Sequence, residues 1–124
     1  MIGKIYWSVF PYYNSKTGKR DFKKRPVLVI SGPRNNDYTV LPISSVSIKN
    51  NLDPEYDVEI NPANYPSLGL TKICYIRTHK QSVVHQASLT SKLGDLKEDY
   101  QELYLKVLLK LEEFNKDVLN NSLR

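Results

Sequence analysis

Two runs, Arg25–Ser31 (RPVLVIS) and Tyr38–Ser44 (YTVLPIS), are apolar at most positions and rich in β-branched residues, and six residues part them. Valine and isoleucine lose rotamer freedom in a helix but pack well on a pleated surface, so both runs read as strands. The Gly32-Pro33 and Asn35-Asn36-Asp37 between them are turn residues, which predicts antiparallel neighbours. A strand that is apolar on both faces must be covered on both, so the sheet is expected to curl into a small barrel. Pro42 cannot donate to a ladder and marks an edge or a bulge in the second run.

The flanking sequence extends this sheet. KIYWSVF (4–10) alternates, with Ile5, Trp7 and Val9 on one face and Tyr6, Ser8 and Phe10 on the other. YDVEI (56–60) and TKICYIR (71–77) add two strands, separated by a segment whose prolines and Gly69 stop any long element. The period then changes. Asp95, three residues before Glu98, forms a capping-box-like start. From Tyr100 onward Leu103, Tyr104, Val107, Leu108, Leu111 and Phe114 keep i, i+3, i+4, i+7 spacing. This predicts an amphipathic helix of four or five turns packed on the sheet. The fold class is α+β, mainly β: a small twisted antiparallel barrel with a long C-terminal helix, in one domain over residues 1–124.

Charge is uneven along the chain. Residues 1–80 carry twelve Lys/Arg against six Asp/Glu, whereas residues 81–124 carry six against seven. Five cations, Lys16, Lys19, Arg20, Lys23 and Lys24, crowd the segment 11–24 beside Tyr12 and Tyr13, which reads as a basic loop. Cations that track phosphates and rings that stack on splayed bases suit single-stranded nucleic acid; a solvated connection is the plainer reading. The single Cys74 cannot form an intramolecular disulfide, and no histidine stands at zinc-ligand spacing from it. A reduced, cytoplasmic protein is expected, with neither metal nor cofactor. No basic leader with an apolar core opens the chain, and no apolar run is long enough for a membrane span.

In order, GKIYWSVFP, a basic segment, KKRPVLVIS, a short turn, YTVLPIS, YDVEI, KICYIRTHKQ and a final amphipathic helix span nearly the whole chain. This order resembles the MazF/PemK family of toxin endoribonucleases from bacterial type II toxin–antitoxin pairs. The resemblance implies an SH3-like barrel that acts as a homodimer. It also implies metal-independent, sequence-specific cleavage of single-stranded RNA, mRNA included, with growth inhibition as the outcome and a cognate antitoxin protein as the neutralising partner.

The family's catalytic pair, an Arg before Pro and a hydroxyl that ends the next strand, falls on Arg25 and Ser44. RNA cleaves itself when its 2′-OH attacks the adjacent phosphate, so the protein supplies orientation, proton transfer and charge stabilisation. A guanidinium fork matches two phosphate oxygens but holds its proton too tightly to serve as a base, which favours electrostatic stabilisation by Arg25. Ser44 stands where the family usually has Thr, and where many members carry an acid a few positions before the Arg-Pro to orient the Arg, the run KRDFKK offers only Asp21. Lys16, Lys19, Arg20, Lys23 and Lys24 are assigned to RNA binding, together with Arg77, Thr78 and His79 of the Ile-Arg-Thr motif.

Plainer alternatives stand beside these assignments. Arg77 could pair with a carboxylate at the surface. His79 and His85, six residues apart, would form an acid–base pair only if the fold brought them together. Cys74 reads as a small buried hydrophobe, and Trp7 with the nearby tyrosines as core or dimer contacts, a base platform being the alternative. Two other functions fit a small basic barrel: a non-enzymatic toxin like the related CcdB, which binds DNA gyrase, and a non-catalytic SH3-like nucleic-acid-binding module.

Overall fold

The computed structural model describes residues 1–46 and 49–124. Its strands are β1 (Lys4–Asn14), β2 (Lys19–Arg34), β3 (Asp37–Ser44), β4 (Asp57–Ile60), β5 (Cys74–Arg77), β6 (Ser82–His85) and β7 (Leu89–Asp95). Two helices follow, α1 (Leu96–Asp99) and α2 (Gln101–Ser122). The strands form one curled antiparallel sheet in the order β4-β5-β3-β2-β1-β7, with β6 paired to part of β3.

The centre of the sheet is buried on both faces, as the doubly apolar runs predict. On one face Ile5, Leu28, Leu41, Ile43, Ile60 and Ile76 pack with Leu96, Leu103, Tyr104 and Val107 of the helices. On the other, Val27, Val29, Tyr38, Val40 and Val84 gather Tyr6, Phe10 and Leu89. Each fully buried aliphatic side chain among them stabilises the fold by about 1.5–3 kcal/mol through lost water contact.

Strand β3 changes partners along its length. Asp37 to Val40 pair with β6, whereas Ile43 and Ser44 pair with β5. Pro42, which has no N–H for a ladder, stands at the change of partner.

Three local features differ from the sequence expectations. Residues 11–24 are not a loop. They form a two-stranded ribbon in register from Phe10↔Lys23 to Asn14↔Lys19, closed by a tight turn in which Gly18 takes a φ of 67°. The aromatic and alternating residues there favour extended pairing. The side chain of Tyr12 lies outside the described residues. The strands β6 and β7 are too short or too polar to stand out in the sequence.

The helix is broken as well. Asp95 caps α1 by accepting from the Glu98 N–H at 3.1 Å, as its spacing predicts, but Tyr100 leaves helical geometry at φ −141° and ψ 68°. Its ring instead packs edge-on against Tyr65, centroids 5.0 Å apart, and its hydroxyl accepts from the Ser67 N–H at 3.2 Å. This anchors the segment between β4 and β5. Helix α2 then runs for 22 residues, beyond the four or five turns predicted, because it continues past its last packed residue, Phe114, as an exposed end.

Candidate active site

Arg25 lies where β2 passes from the exposed ribbon into the barrel, since Lys24 is exposed and Val27 is fully buried. The β2–β3 ladder ends at Val27↔Pro42, and the same register two residues further sets Arg25 opposite Ser44. Residues directly opposite on neighbouring strands share a face. Arg25 Nη1 accordingly donates to Ser44 Oγ at 2.9 Å. Among the described residues no carboxylate lies within ion-pair distance of Arg25, so most of its fork is free to meet an anion.

The pair opens into a cavity of about 290 Å³ walled by Trp7, Pro26, Ile43 and Leu70 and rimmed by Lys23, Lys24 and Lys72. Every charged residue lining it is cationic. Apolar walls with a cationic rim suit a group that is flat at one end and anionic at the other. Cys74 also lines it, but burial pushes its thiol up to about 11. It is therefore a neutral wall residue rather than a nucleophile.

The wall from Gly69 to Lys72 is fixed by absent side chains. Gly69 adopts φ +68°, and a Cβ on Gly94 of β7 would lie 2.8 Å from Leu68 Cα and 2.9 Å from Ser67 O. Only glycine at 94 lets this segment approach β7 so closely. Ser67 Oγ also donates to Asp99 at 2.9 Å, which ties the segment to α1.

The other predicted residues fall into two places. Lys23 and Lys24 join the cavity, whereas Lys16, Lys19 and Arg20 stand toward the ribbon tip, Lys19 opposite Asn14 and Arg20 opposite Tyr13. Asp21 is exposed, accepts from the Phe22 N–H at 2.8 Å and makes no ion pair with Arg25. The side chain that Arg25 does meet is Ser44.

Arg77, Thr78 and His79 gather instead around Asp57 and Tyr56. Arg77 donates through Nε and Nη2 to the Asp57 carboxylate at 3.0 and 3.2 Å, and through Nη2 to Asn51 O at 2.8 Å. Thr78 is buried and donates to Tyr56 O at 2.6 Å. His79 Nδ1 lies 3.7 Å from Asp57 Oδ1, and its ring packs near Tyr56 and Phe114. None of the three lines the Arg25 cavity. His85 Nδ1 accepts from the Ala87 N–H at 3.0 Å, so the two histidines make separate local contacts.

Two residues of the site carried no assignment from the sequence. Lys72 sits in the run TKICYIR with nothing local to mark it, and only the chain path brings it to the cavity. Ser8 pairs with Arg25 across β1, fully buried, and its Oγ has no hydrogen-bond partner among the described residues. A lone hydroxyl between Tyr6 and Phe10 on one face was the available signal.

Comparison with known proteins agrees with this architecture. The Mycobacterium tuberculosis toxin MazF-mt6 is 15% identical, with 91% of this chain and 96% of that one covered, at a TM-score of 0.65. A crystal structure of an Mtb toxin is 16% identical over 73% of this chain and 91% of its own, at a TM-score of 0.55. At such identities the likeness shows a shared fold, a curled antiparallel sheet with a C-terminal helix. No curated protein sequence matches the chain. Among the described residues no helix is long and apolar enough to cross a membrane. The profile of PemK-like, MazF-like toxins of type II toxin–antitoxin systems matches residues 2–111, and the chain belongs to that family.

Proposed function

We propose that this toxin is an endoribonuclease that cleaves single-stranded RNA, mRNA included, and thereby arrests translation and growth. The observation that carries the reading is the Arg25–Ser44 hydrogen bond at the mouth of a cavity whose charged lining residues are all cationic, with the rest of the guanidinium unpaired among the described residues. In the reaction the 2′-oxygen forms a bond to phosphorus while the bond from phosphorus to the 5′-oxygen breaks. The 2′-OH gives up its proton and the departing 5′-oxygen takes one. The products are a 2′,3′-cyclic phosphate and a 5′-hydroxyl.

Charge gathers on the non-bridging oxygens as the fifth bond forms, and Arg25 meets them with paired N–H donors. Ser44 holds the fork in place before substrate arrives, which lowers the reorganisation needed at the moment of reaction. Lys23, Lys24 and Lys72 hold the flanking phosphates, and Lys16, Lys19 and Arg20 extend the path along the ribbon. The nucleophile belongs to the RNA, so the reaction calls for no metal. Arg77, Thr78 and His79 support the strand beside the site and do not contact RNA in this reading.

The protein works as a homodimer in the cytoplasm, with the ribbons of two subunits flanking one positive channel. A cognate antitoxin covers that channel through an acidic segment. Incubation with a long RNA in EDTA, followed by mapping of the 5′ ends, tests the reading. Discrete cuts in unpaired regions with 5′-hydroxyl ends are expected. Intact RNA, or activity that returns only with magnesium, refutes it. Light scattering at micromolar concentration reads the dimer, and competition between RNA and antitoxin reads the shared face.

A further inference from the structure

The cross-strand row that contains the catalytic pair continues beyond Ser44. Ser44 pairs with Tyr75 of β5, and Tyr75 pairs with Glu59 of β4. The Tyr75 hydroxyl donates to Glu59 Oε1 at 3.4 Å. Tyr75 is half-buried and forms one wall of a second recess of about 360 Å³, opposite Leu52, Asp53, Pro54 and Asp57.

The two carboxylates of this recess are largely committed, and Asn50 completes its lining. Asp57 is held by Arg77 and by the Asp53 N–H at 2.8 Å, and Asp53 Oδ1 accepts from the Glu55 and Tyr56 N–H groups at 2.9 and 3.0 Å. Two carboxylates would repel a phosphate, whereas an aromatic ring beside Leu52 and Pro54 suits a flat uncharged group. In the strand order Tyr75 of β5 and Trp7 of β1 flank Arg25 of β2 and Ser44 of β3 on opposite sides. Adjacent strands lie about 5 Å apart, so a base attached to a phosphate on Ser44 reaches Tyr75 without stretching the chain.

We infer that the Tyr75 recess is a nucleobase subsite: it stacks the base on one side of the scissile phosphate while the Trp7 cavity receives the base on the other. The inference rests on the ribonuclease reading above. Burial first, and Glu59 next, raise the Tyr75 hydroxyl above the usual phenol range, so it stays a donor and is no proton acceptor. Tyr75 therefore positions RNA through its ring and takes no part in proton transfer.

The test uses an RNA oligonucleotide spanning a cut mapped with the wild-type protein, with 2′-deoxy sugar at the cut to block chemistry. Affinity is measured with the base present, and with an abasic residue on either side of the scissile phosphate. Tyr75→Ala should weaken binding about 5- to 100-fold, the range of one lost stack, and Tyr75→Phe should bind like wild type. An abasic residue on one side should weaken wild type similarly and erase the effect of Tyr75→Ala. A general loosening of the fold would not produce that pattern. Tyr75→Leu, which keeps apolar bulk without the flat ring, replaces the alanine variant if that one fails to fold.

An effect of Tyr75→Ala that survives in both abasic RNAs, or a Tyr75→Phe as weak as the alanine variant, overturns the subsite. Wild-type cleavage with an indifferent Tyr75→Ala sinks the subsite alone. A wild type that neither binds nor cuts RNA sinks the functional reading and the subsite together.

Discussion

Replacing Arg25 and Ser44 singly and together separates what each contributes. Arg25 spends one donor on Ser44 Oγ at 2.9 Å and meets no carboxylate among the described residues, so its remaining donors are the ones offered to phosphate. Losing such a preorganised donor set costs about 10²- to 10³-fold in rate, which sets the expectation for Arg25→Ala. Ser44→Ala removes one hydrogen bond to a charged group, about 1.5–3 kcal/mol, or about 10- to 150-fold. If Ser44 acts by orienting Arg25, the two losses do not add, and the double variant is hardly slower than Arg25→Ala. Arg25→Lys keeps the charge but not the fork and should recover part of the rate, while Ser44→Thr keeps the hydroxyl and should be tolerated. The assay is single-turnover cleavage at saturating protein, with thermal melts to confirm folding of each variant. Full-rate cleavage by both alanine variants refutes the site, and fully additive losses refute the orienting role of Ser44.

Lys23→Gln with Lys24→Gln should weaken RNA binding and lower the slope of log affinity against log salt by about 1.4, with the bound-state cleavage rate nearly intact. Gly94→Ala should force apart β7 and the segment bearing Leu68, moving Thr71 and Lys72 off the cavity; lower affinity for RNA in a protein that still melts cooperatively is the expected reading. Asp57→Ala leaves Arg77 facing only Asn51 O at 2.8 Å and should cost about 3–5 kcal/mol in urea denaturation, the scale of breaking a buried ion pair. Cys74 ionises near 9 when unfolded and at about 11 when folded, so its contribution to stability is complete below pH 9 and is lost as pH rises through 11. Alkylation at pH 8 should be slow in the native protein and fast in denaturant.

The doubly apolar runs made the barrel legible, because hydrophobic period survives into any packing of those residues. Valines 27 and 29 and Leu28 do fall on opposite faces of β2. The cap at Asp95 was legible for a similar reason, since its bond to Glu98 is local. The helix break at Tyr100 was not, because it depends on Ser67 and Tyr65, more than thirty residues away in sequence. Residues 11–24 read as a loop because charge masks pairing; nothing in KRDFKK reveals that Lys23 stands opposite Phe10.

The site itself follows from the change of partner along β3. Up to Val40 the strand runs between β2 and β6, with irregular register on the β2 side. At Ile43 it passes to β5 while the β2 ladder has already ended at Pro42, so Ser44 and Arg25 meet through side chains where backbone pairing has stopped. The same departure opens the cavity between β2 and the Gly69–Lys72 wall. Resemblance pointed to Arg25 and Ser44 in the sequence; the structure adds that the β2–β3 ladder stops at Pro42, two residues before Ser44. Restoring an N–H there, as Pro42→Val would, should let β2 and β3 pair further and lengthen the Arg25–Ser44 contact. Slower cleavage with raised thermal stability is the signature, and an unchanged rate would show that the end of the ladder does not set the geometry of the pair.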